Sequence, residues 1–515
     1  MAKTPVRIAA IDAGTNSIHM IVVEAQRHGY RIIDREKEMV QLGRDSLEGR
    51  PLTDAAIERG VATLKSMAEI ARRWKASEVI AVATSAVREA PNRRRFLSAV
   101  ESAAGIRLRI ISGEEESDYI YRAVRSAVDF HGGTALAIDI GGGSVELIVG
   151  TSSEVFFTSS EPLGALRMAQ RFGLEQAAGE TSLDECRRFI RKSSKKTLTR
   201  IARLGFDFTV GTSGTIVTLA SLARAEGENG GAGVASGLTW LSRVRLGELI
   251  ERLAPLSAEE RARTSGFDDR RGATIVAGAL VLEQVMDGLR IEQIRACDAA
   301  LREGIVQKAL DEMREGGRDT TAGGVRRSSV MALAERSSVD LTHAGHVARL
   351  ALRIFDQTEE LHMLRTGERE LLEYAALLHE VGRHVSYQKH HKHSYYLISH
   401  AGLRGFTADQ VALIANVARY HRKSTPHEDD DNFAQLSGAQ QAVVEKLSAI
   451  LRLADALDRS RHTAIRDVAV ELEDEAVSFR MRPRRDAEVE MESALKKAKY
   501  FGKVFGRKTR FELAR

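Results

Sequence analysis

Two stretches of this sequence place an aspartate, glycine and a serine at the same spacing. The first is Asp12-Ala13-Gly14-Thr15-Asn16-Ser17 and the second is Asp139-Ile140-Gly141-Gly142-Gly143-Ser144. Each lies between apolar runs, Ile8 to Ile11 and Ile18 to Val22 around the first, Ala135 to Ile138 and Val145 to Val149 around the second. Runs rich in Ile, Val and Ala suit buried strands. Gly and Asn in the gap suit a tight hairpin turn. A Gly-rich turn leaves backbone N–H groups uncovered, and these can hold phosphate oxygens. The aspartate adds a carboxylate that can hold a cation. An ordinary hairpin with a polar first residue would account for either loop alone. The repeated spacing points instead to a duplicated domain with a phosphate site in the cleft between its halves.

Three further segments could serve such a site. Thr84-Ser85-Ala86-Val87-Arg88 follows a short apolar run, Glu78 to Thr84. It puts hydroxyls and a guanidinium at a strand's carboxyl end, where open α/β sheets hold ligands. Ser112-Gly113-Glu114-Glu115-Glu116 opens a helical pattern. Acids in a first helical turn suit the macrodipole, or one of them faces the cleft as a base. Gly211-Thr212-Ser213-Gly214-Thr215 follows an apolar strand and precedes a helix, which makes a third candidate phosphate loop.

The elements that must carry these residues follow from the patterning. Residues 6 to 40 read as three strands. Ile57, Val61, Leu64, Met67, Ile70 and Trp74 recur at helical spacing after an N-cap at Thr53-Asp54. Residues 134 to 310 repeat the plan of strands and helices. The Gly-, Arg-, Asp- and Thr-rich stretch Glu315 to Ser329 reads as a linker. Beyond it, helices are expected near 340–357, 368–382, 392–401, 407–421 and 438–460, then a small α/β tail from Ile465.

At 515 residues with 43% hydrophobic and 29% charged residues, the chain fits a multidomain globular protein. No run approaches the length of a membrane span, and the first residues lack a secretory apolar segment, so the cytoplasm is expected. Cys186 and Cys297 are the only cysteines and offer no disulfide framework or metal knuckle. The net charge of +5 favours anionic partners only weakly. Basic residues cluster at 187–196, 480–485 and 496–510, as solvated faces or as contacts for a long polyanion.

Taken together, Ile11 to Ser17, Ile111 to Glu116, Ile138 to Glu146, Gly211 to Thr215 and Leu301-Arg302-Glu303-Gly304 resemble the exopolyphosphatase/guanosine pentaphosphate phosphatase family. That family lies within the actin–Hsp70–sugar kinase superfold. The resemblance implies an α/β fold of two duplicated actin-like (ribonuclease H-like) lobes, followed by an all-α HD-like domain and a small α/β tail. The implied divisions are 1–130, 131–312, a linker at 313–327, 328–462 and 463–515. The implied activity is removal of terminal phosphate from inorganic polyphosphate, or of the 5′-phosphate from pppGpp, with Mg²⁺. Glu116 then falls on the catalytic base, with Glu115 its neighbour in register, and Arg88 is expected at the transferred phosphoryl group. Asp12, Gly14, Thr15, Asn16, Ser17, Thr84, Gly141, Gly142, Gly143, Ser144, Gly211, Thr212, Ser213, Gly214 and Thr215 fall on the phosphate grip. Asp139 and Glu146 fall on the metal site. A homodimer without a membrane partner or a specific nucleic-acid partner is expected.

In this third strand Glu38, Met39 and Gln41 stand where the family has more cations, and Cys297-Asp298-Ala299 replaces Ser-Asp-Gly. A small-molecule kinase of the same superfold would need adenosine and acceptor pockets, and a non-catalytic sensor of phosphate polymers would need no base. In the helical half, an HD-type site would draw on His346, His379, Glu380 and Asp455. Glu in place of that pair's Asp lengthens the ligand by a methylene and points to a vestigial site. Eight of the fifteen histidines lie between His379 and His427, so with Lys389, Lys392, Arg422 and Lys423 they offer a second reading, a partly protonated anion channel.

Overall fold

The computed structural model describes residues 5–26, 29–44, 46–225, 239–264, 271–314 and 324–514. The chain divides into two compact units, with the boundary between Val325 and Arg326.

The first unit holds two sheets. In one, β1 (Arg7–Ala13), β2 (Ile18–Ala25), β3 (Tyr30–Glu38), β4 (Glu78–Ala83) and β5 (Leu108–Ile110) are ordered β3-β2-β1-β4-β5. In the other, β6 (Ala135–Ile140), β7 (Val145–Gly150), β8 (Val155–Glu161), β9 (Phe208–Thr212), β10 (Thr239–Ser242) and β11 (Gln293–Ala296) are ordered β10-β11-β9-β6-β7-β8. Leaving out β10, the second order repeats the first. In each sheet two antiparallel steps precede two parallel ones. The duplication read from two loops is thus a duplication of whole sheets.

Strand parity decides what faces the gap between the sheets, because successive side chains alternate between faces. Along β1, Ala9, Ile11 and Ala13 join one core with the helices Asp54–Arg73 and Arg93–Ala104, whereas Ile8 and Ala10 join another. Along β6, Leu136, Ile138 and Ile140 face an outer core, whereas Ala135 and Ala137 face the same middle core as Ile8 and Ala10. Between the sheets lie the helices Gly113–Ala127 and Leu301–Arg314, whose Tyr119, Ile120, Val124, Leu301 and Ile305 fill that core. They approach so closely that a Cβ on Gly304 would sit 1.8 Å from the Tyr119 carbonyl oxygen. Only glycine fits there. Asp12 and Asp139 continue the even and odd rows that point into this middle layer.

The second unit is a bundle including the helices Gly324–Arg336, Leu341–Gln357, Thr366–Leu378, His390–His400, Ala408–Arg419 and Gly438–Ala456. It continues into β12 (Ile465–Leu472), β13 (Ala476–Pro483), the helix Glu488–Phe505 and β14 (Lys508–Leu513). The expected separate tail is not a separate core. Ile465, Val468, Phe479, Met481 and Phe501 pack in one cluster with Val347, Leu372, Leu447 and Ile450.

The linker reading also needs correction. Residues 313 and 314 belong to the helix Leu301–Arg314, residues 315–323 lie outside the described residues, and Gly324 to Ser329 is helical. Buried Arg326 anchors that helix by donating to the Gly405 carbonyl at 2.9 Å and pairing with Glu370 at 2.6 Å. The basic clusters are partly neutralised. Arg187 pairs with Glu283, Arg480 with Glu471 and Glu512, and Lys496 with Glu492.

Candidate active site

The two hairpins are closed alike. Gly14 N–H donates to the Ser17 carbonyl at 3.0 Å, and Gly141 N–H donates to the Ser144 carbonyl at 3.0 Å. They meet at Gly143, where a Cβ would lie 2.8 Å from Thr15 Oγ1 and 2.4 Å from Ser85 Oγ. The cleft beside them, about 410 Å³, is lined by both loops, Thr84, Glu116, Asp139 and the turn Ser213-Gly214-Thr215. Ser213 holds a φ of 79°, a strained backbone that tends to mark functional turns.

Glu116 reaches the cleft because its helix starts there. Ser112 Oγ accepts from Glu115 N–H at 3.1 Å, and Glu115 Oε2 accepts from Ser112 N–H at 3.2 Å, a reciprocal capping box. That cap and the ion pair to Arg109 hold the Glu115 carboxylate at the surface. The next residue, Glu116, turns inward and is buried. The geometry thereby separates the two neighbouring glutamates.

Several expected residues lie elsewhere than on the cleft wall. Arg88 Nη1 donates to Glu116 Oε2 at 2.9 Å and to the Ile111 carbonyl at 2.9 Å, so it holds the glutamate rather than pointing at a phosphoryl group. Thr212 is fully buried, and its hydroxyl donates to Asp139 Oδ2 at 2.6 Å. Gly211 is inside β9, against Ile216 and Ile294. Glu146 is the cross-strand partner of Asp139 but is buried behind it, accepting from Ser160 Oγ at 2.7 Å. Tertiary packing redirected these four because each has a nearer protein partner than the open cleft.

Further residues line the cleft. They include Arg35 and Lys37 from β3, Arg271, Asp298 and Arg302. Arg302 Nη1 lies 3.2 Å from His19 Nδ1, and His19 Nε2 lies 2.7 Å from Ser17 Oγ. Glu303 turns back on its own helix start, accepting from Ala300 N–H at 3.0 Å. Buried Arg167 donates to the Gly143 carbonyl at 2.9 Å and pairs with Glu89 at 2.6 Å, tying the second hairpin to the first sheet's side. The Leu-Arg-Glu-Gly motif was a sequence signal for Arg302; nothing in the pattern marked Arg167 or Arg271.

Carboxylates crowded into a desolvated gap resist ionisation. Burial, then the nearby Glu116 charge, pushes Asp12 up to about 8. Burial raises Glu116 to about 7 against the opposing Arg88 guanidinium. Burial raises Asp139 to about 6, with the Thr212 hydrogen bond and Arg271 holding it down. Glu146 is raised well above its usual range by burial and by its Glu116 and Asp139 neighbours. Asp12 Oδ1 is buried with no hydrogen-bond partner in the protein. An oxygen-only set with an orphaned carboxylate oxygen fits a hard divalent cation such as Mg²⁺.

In the second unit one expected residue is misplaced by a helical turn. His346 Nε2 donates to the Ile465 carbonyl at 2.9 Å, facing β12. His343 is the histidine of that helix that meets His379 and Glu380.

A family model described as the Ppx/GppA phosphatase family matches residues 21–313, and one described as Ppx/GppA phosphatase, domain III, matches residues 325–498. A solved exopolyphosphatase from Cytophaga hutchinsonii is 27% identical; the likeness covers 59% of this chain and 98% of that one, with a TM-score of 0.56. The Aquifex aeolicus Ppx/GppA family member is also 27% identical, covering 60% of this chain and 99% of its own, with a TM-score of 0.51. No helix among the described residues is long and apolar enough to cross a membrane. With both models matched in sequence order, the first of them over more than half of the chain, the chain belongs to the Ppx/GppA phosphatase family.

Proposed function

We propose that this protein is an exopolyphosphatase that transfers the terminal phosphate of inorganic polyphosphate to water. The observation that carries the reading is Glu116, buried at the amino end of a middle-layer helix between two backbone-lined hairpins, with its carboxyl raised to about 7. A carboxylate with that pKa can accept a proton from water near neutral pH. Arg88 fixes its orientation. N–H groups of the Gly14–Ser17, Gly141–Ser144 and Ser213–Thr215 turns would grip the phosphates, with Arg35, Lys37, Arg271 and Arg302 around them. Asp12 and Asp139 would hold Mg²⁺, with Glu146 behind. That ion, when bound, offsets charge on the transferred group. The proton taken from water stays on Glu116 until it passes to solvent.

A pppGpp phosphohydrolase would use the same groups. No Phe, Tyr or Trp stands among the described cleft-lining residues to stack on a guanine, and the imidazole of His19 is engaged by Ser17 and Arg302, which favours the unadorned phosphate chain. The helical half is read as HD-like in fold, on the meeting of His379, Glu380 and Asp455. The test is phosphate release from long polyphosphate, tripolyphosphate and pppGpp, side by side with Mg²⁺. Polyphosphate is expected to win in kcat/KM by about tenfold or more, roughly the value of one stacked base. Preference for pppGpp would replace this reading by the nucleotide one, and release from none would refute both.

A further inference from the structure

The Leu-Arg-Glu-Gly motif starts a line of side chains that ends at the first hairpin. Glu303 is buried, and its Oε1 accepts from Arg302 Nε at 3.1 Å. That pair aims the guanidinium, and Arg302 Nη1 lies 3.2 Å from His19 Nδ1. His19 Nε2 in turn lies 2.7 Å from Ser17 Oγ. Ser17 and His19 stand two apart at the start of β2, the spacing that puts side chains on one face. Both line the cleft, as does Arg302. Every step of this line runs one way. A guanidinium donates and never accepts. His19 Nδ1 therefore accepts, and the imidazole carries its proton on Nε2. That N–H donates to Ser17 Oγ. A hydroxyl that accepts one hydrogen bond still has its own proton to donate. Among the described residues the Ser17 hydroxyl has no other partner, so its proton is left for the cleft.

We propose that Glu303, Arg302 and His19 form a one-way hydrogen-bond relay that fixes Ser17 as a donor to a phosphate oxygen in the cleft. His19 is a positioning residue: it acts on the ligand through Ser17. Chained hydrogen bonds polarise one another, so an accepting Ser17 Oγ also donates more strongly. Resting on the reading of this cleft as a phosphate site, the relay determines what the first hairpin takes. It takes an oxygen that only accepts, as the ionised oxygens of a phosphate chain do. On the second hairpin the residue opposite the aspartate is Glu146, a carboxyl in place of the imidazole. The imidazole–guanidinium line therefore belongs to the first hairpin.

The test measures tripolyphosphate affinity by calorimetry, with Mg²⁺, on the full chain carrying Glu116→Gln, so that turnover does not intervene. Adding Ser17→Ala is expected to weaken binding about tenfold, the scale of one hydrogen bond to a charged group. His19→Leu removes the donor to Ser17 and should weaken binding about as much. His19→Gln keeps an N–H at the reach of Nε2 and an oxygen for Arg302, so affinity should return to within about threefold of the starting value. His19→Asn is equally polar but its amide reaches only as far as Nδ1, and it should not restore binding. Ser17→Ala with His19→Leu should bind no worse than Ser17→Ala, because a residue that acts through Ser17 adds nothing once the hydroxyl is gone. Losses that multiply to about a hundredfold in the pair would overturn the relay and make His19 an independent contact. Equal affinities of His19→Gln and His19→Asn would overturn it too, and that comparison decides the matter if His19→Leu does not fold. Absence of tripolyphosphate binding before any of these changes would overturn the relay together with the phosphate site. Binding without turnover by the wild-type chain would instead refute the exopolyphosphatase reading and leave the relay to the same affinity measurements.

Discussion

The first and second hairpins have the same length, the same closing hydrogen bond and aspartates in the same row, yet they hold those aspartates differently. On β6 the parallel neighbour of Asp139 is Thr212, whose hydroxyl caps Oδ2. On β1 the parallel neighbour of Asp12 is Val82, which offers nothing, and Asp12 Oδ1 has no hydrogen-bond partner. The antiparallel neighbours differ too. Asp12 faces His19, held by Ser17 and Arg302, whereas Asp139 faces Glu146, held by Ser160. The Thr212 hydrogen bond and the Arg271 charge hold buried Asp139 near 6, whereas the Glu116 charge adds to burial and lifts Asp12 to about 8. Duplication copied the frame, and neighbours outside the copied motif set the chemistry.

The largest loss is expected at the residue between the hairpins. Glu116→Gln should lower kcat by ~10² or more, the usual scale for a lost general base, with substrate affinity and folding retained. Steady-state kinetics on tripolyphosphate checks this, and a mild effect would mean the base is elsewhere.

Thr212→Val makes the second hairpin resemble the first. Loss of a hydrogen bond to a charged group is worth about 1.5 kcal/mol or more. The acid limb of the kcat/KM profile should therefore move up by about one unit, and the rate at pH 6.5 should fall up to about tenfold. A profile that keeps its acid limb would show that Asp139 does not control it.

Asp12, Glu116 and Asp139 in the cleft, and Glu146 behind them, titrate above their ordinary range, so the folded, metal-free protein holds protons that the unfolded chain releases near pH 4. Their contribution to stability is complete below that pH and is lost as pH rises through about 6 to 8. Melting in chelator should drop by about 3–6 °C between pH 5.5 and 8.5, the effect of one to two kcal/mol in a domain of this size. Mg²⁺ should restore it at pH 8.5, and Asp12→Asn should flatten the curve. A melting temperature that rises over this range would contradict the assignment.

The smallest change is expected one residue away from the base. Glu115→Gln keeps an oxygen for the Ser112 N–H and loses only the exposed Arg109 pair. Exposed pairs contribute about 0–1 kcal/mol, and kcat should stay within about twofold. A loss comparable to that of Glu116→Gln would reverse the two roles.

Much of this site was legible before the fold was seen. Hairpin loops are local, so Asp12 to Ser17 and Asp139 to Ser144 announce their turns through Gly and Asn alone. The capping box is local as well, and with Ser112 and Glu115 engaged in it, the inward turn of Glu116 follows from helix geometry. Strand alternation even sets Asp12 with Ile8 and Ala10, and Asp139 with Ala135 and Ala137, on common faces. What sequence did not determine were contacts between segments far apart in the chain. Arg302 reaches His19 across 283 residues, Arg167 reaches Glu89 across 78, and Thr212 reaches Asp139 across 73. His343 and His346, three apart on one helix, share a face by periodicity. Only the packing of β12 against that helix sent His346 to the Ile465 carbonyl and left His343 facing His379 and Asp455. Spacing along the chain specifies turns, caps and faces, because those depend on neighbouring dihedral angles. Partner choice across a core depends on which faces finally meet, and tertiary structure alone decided it.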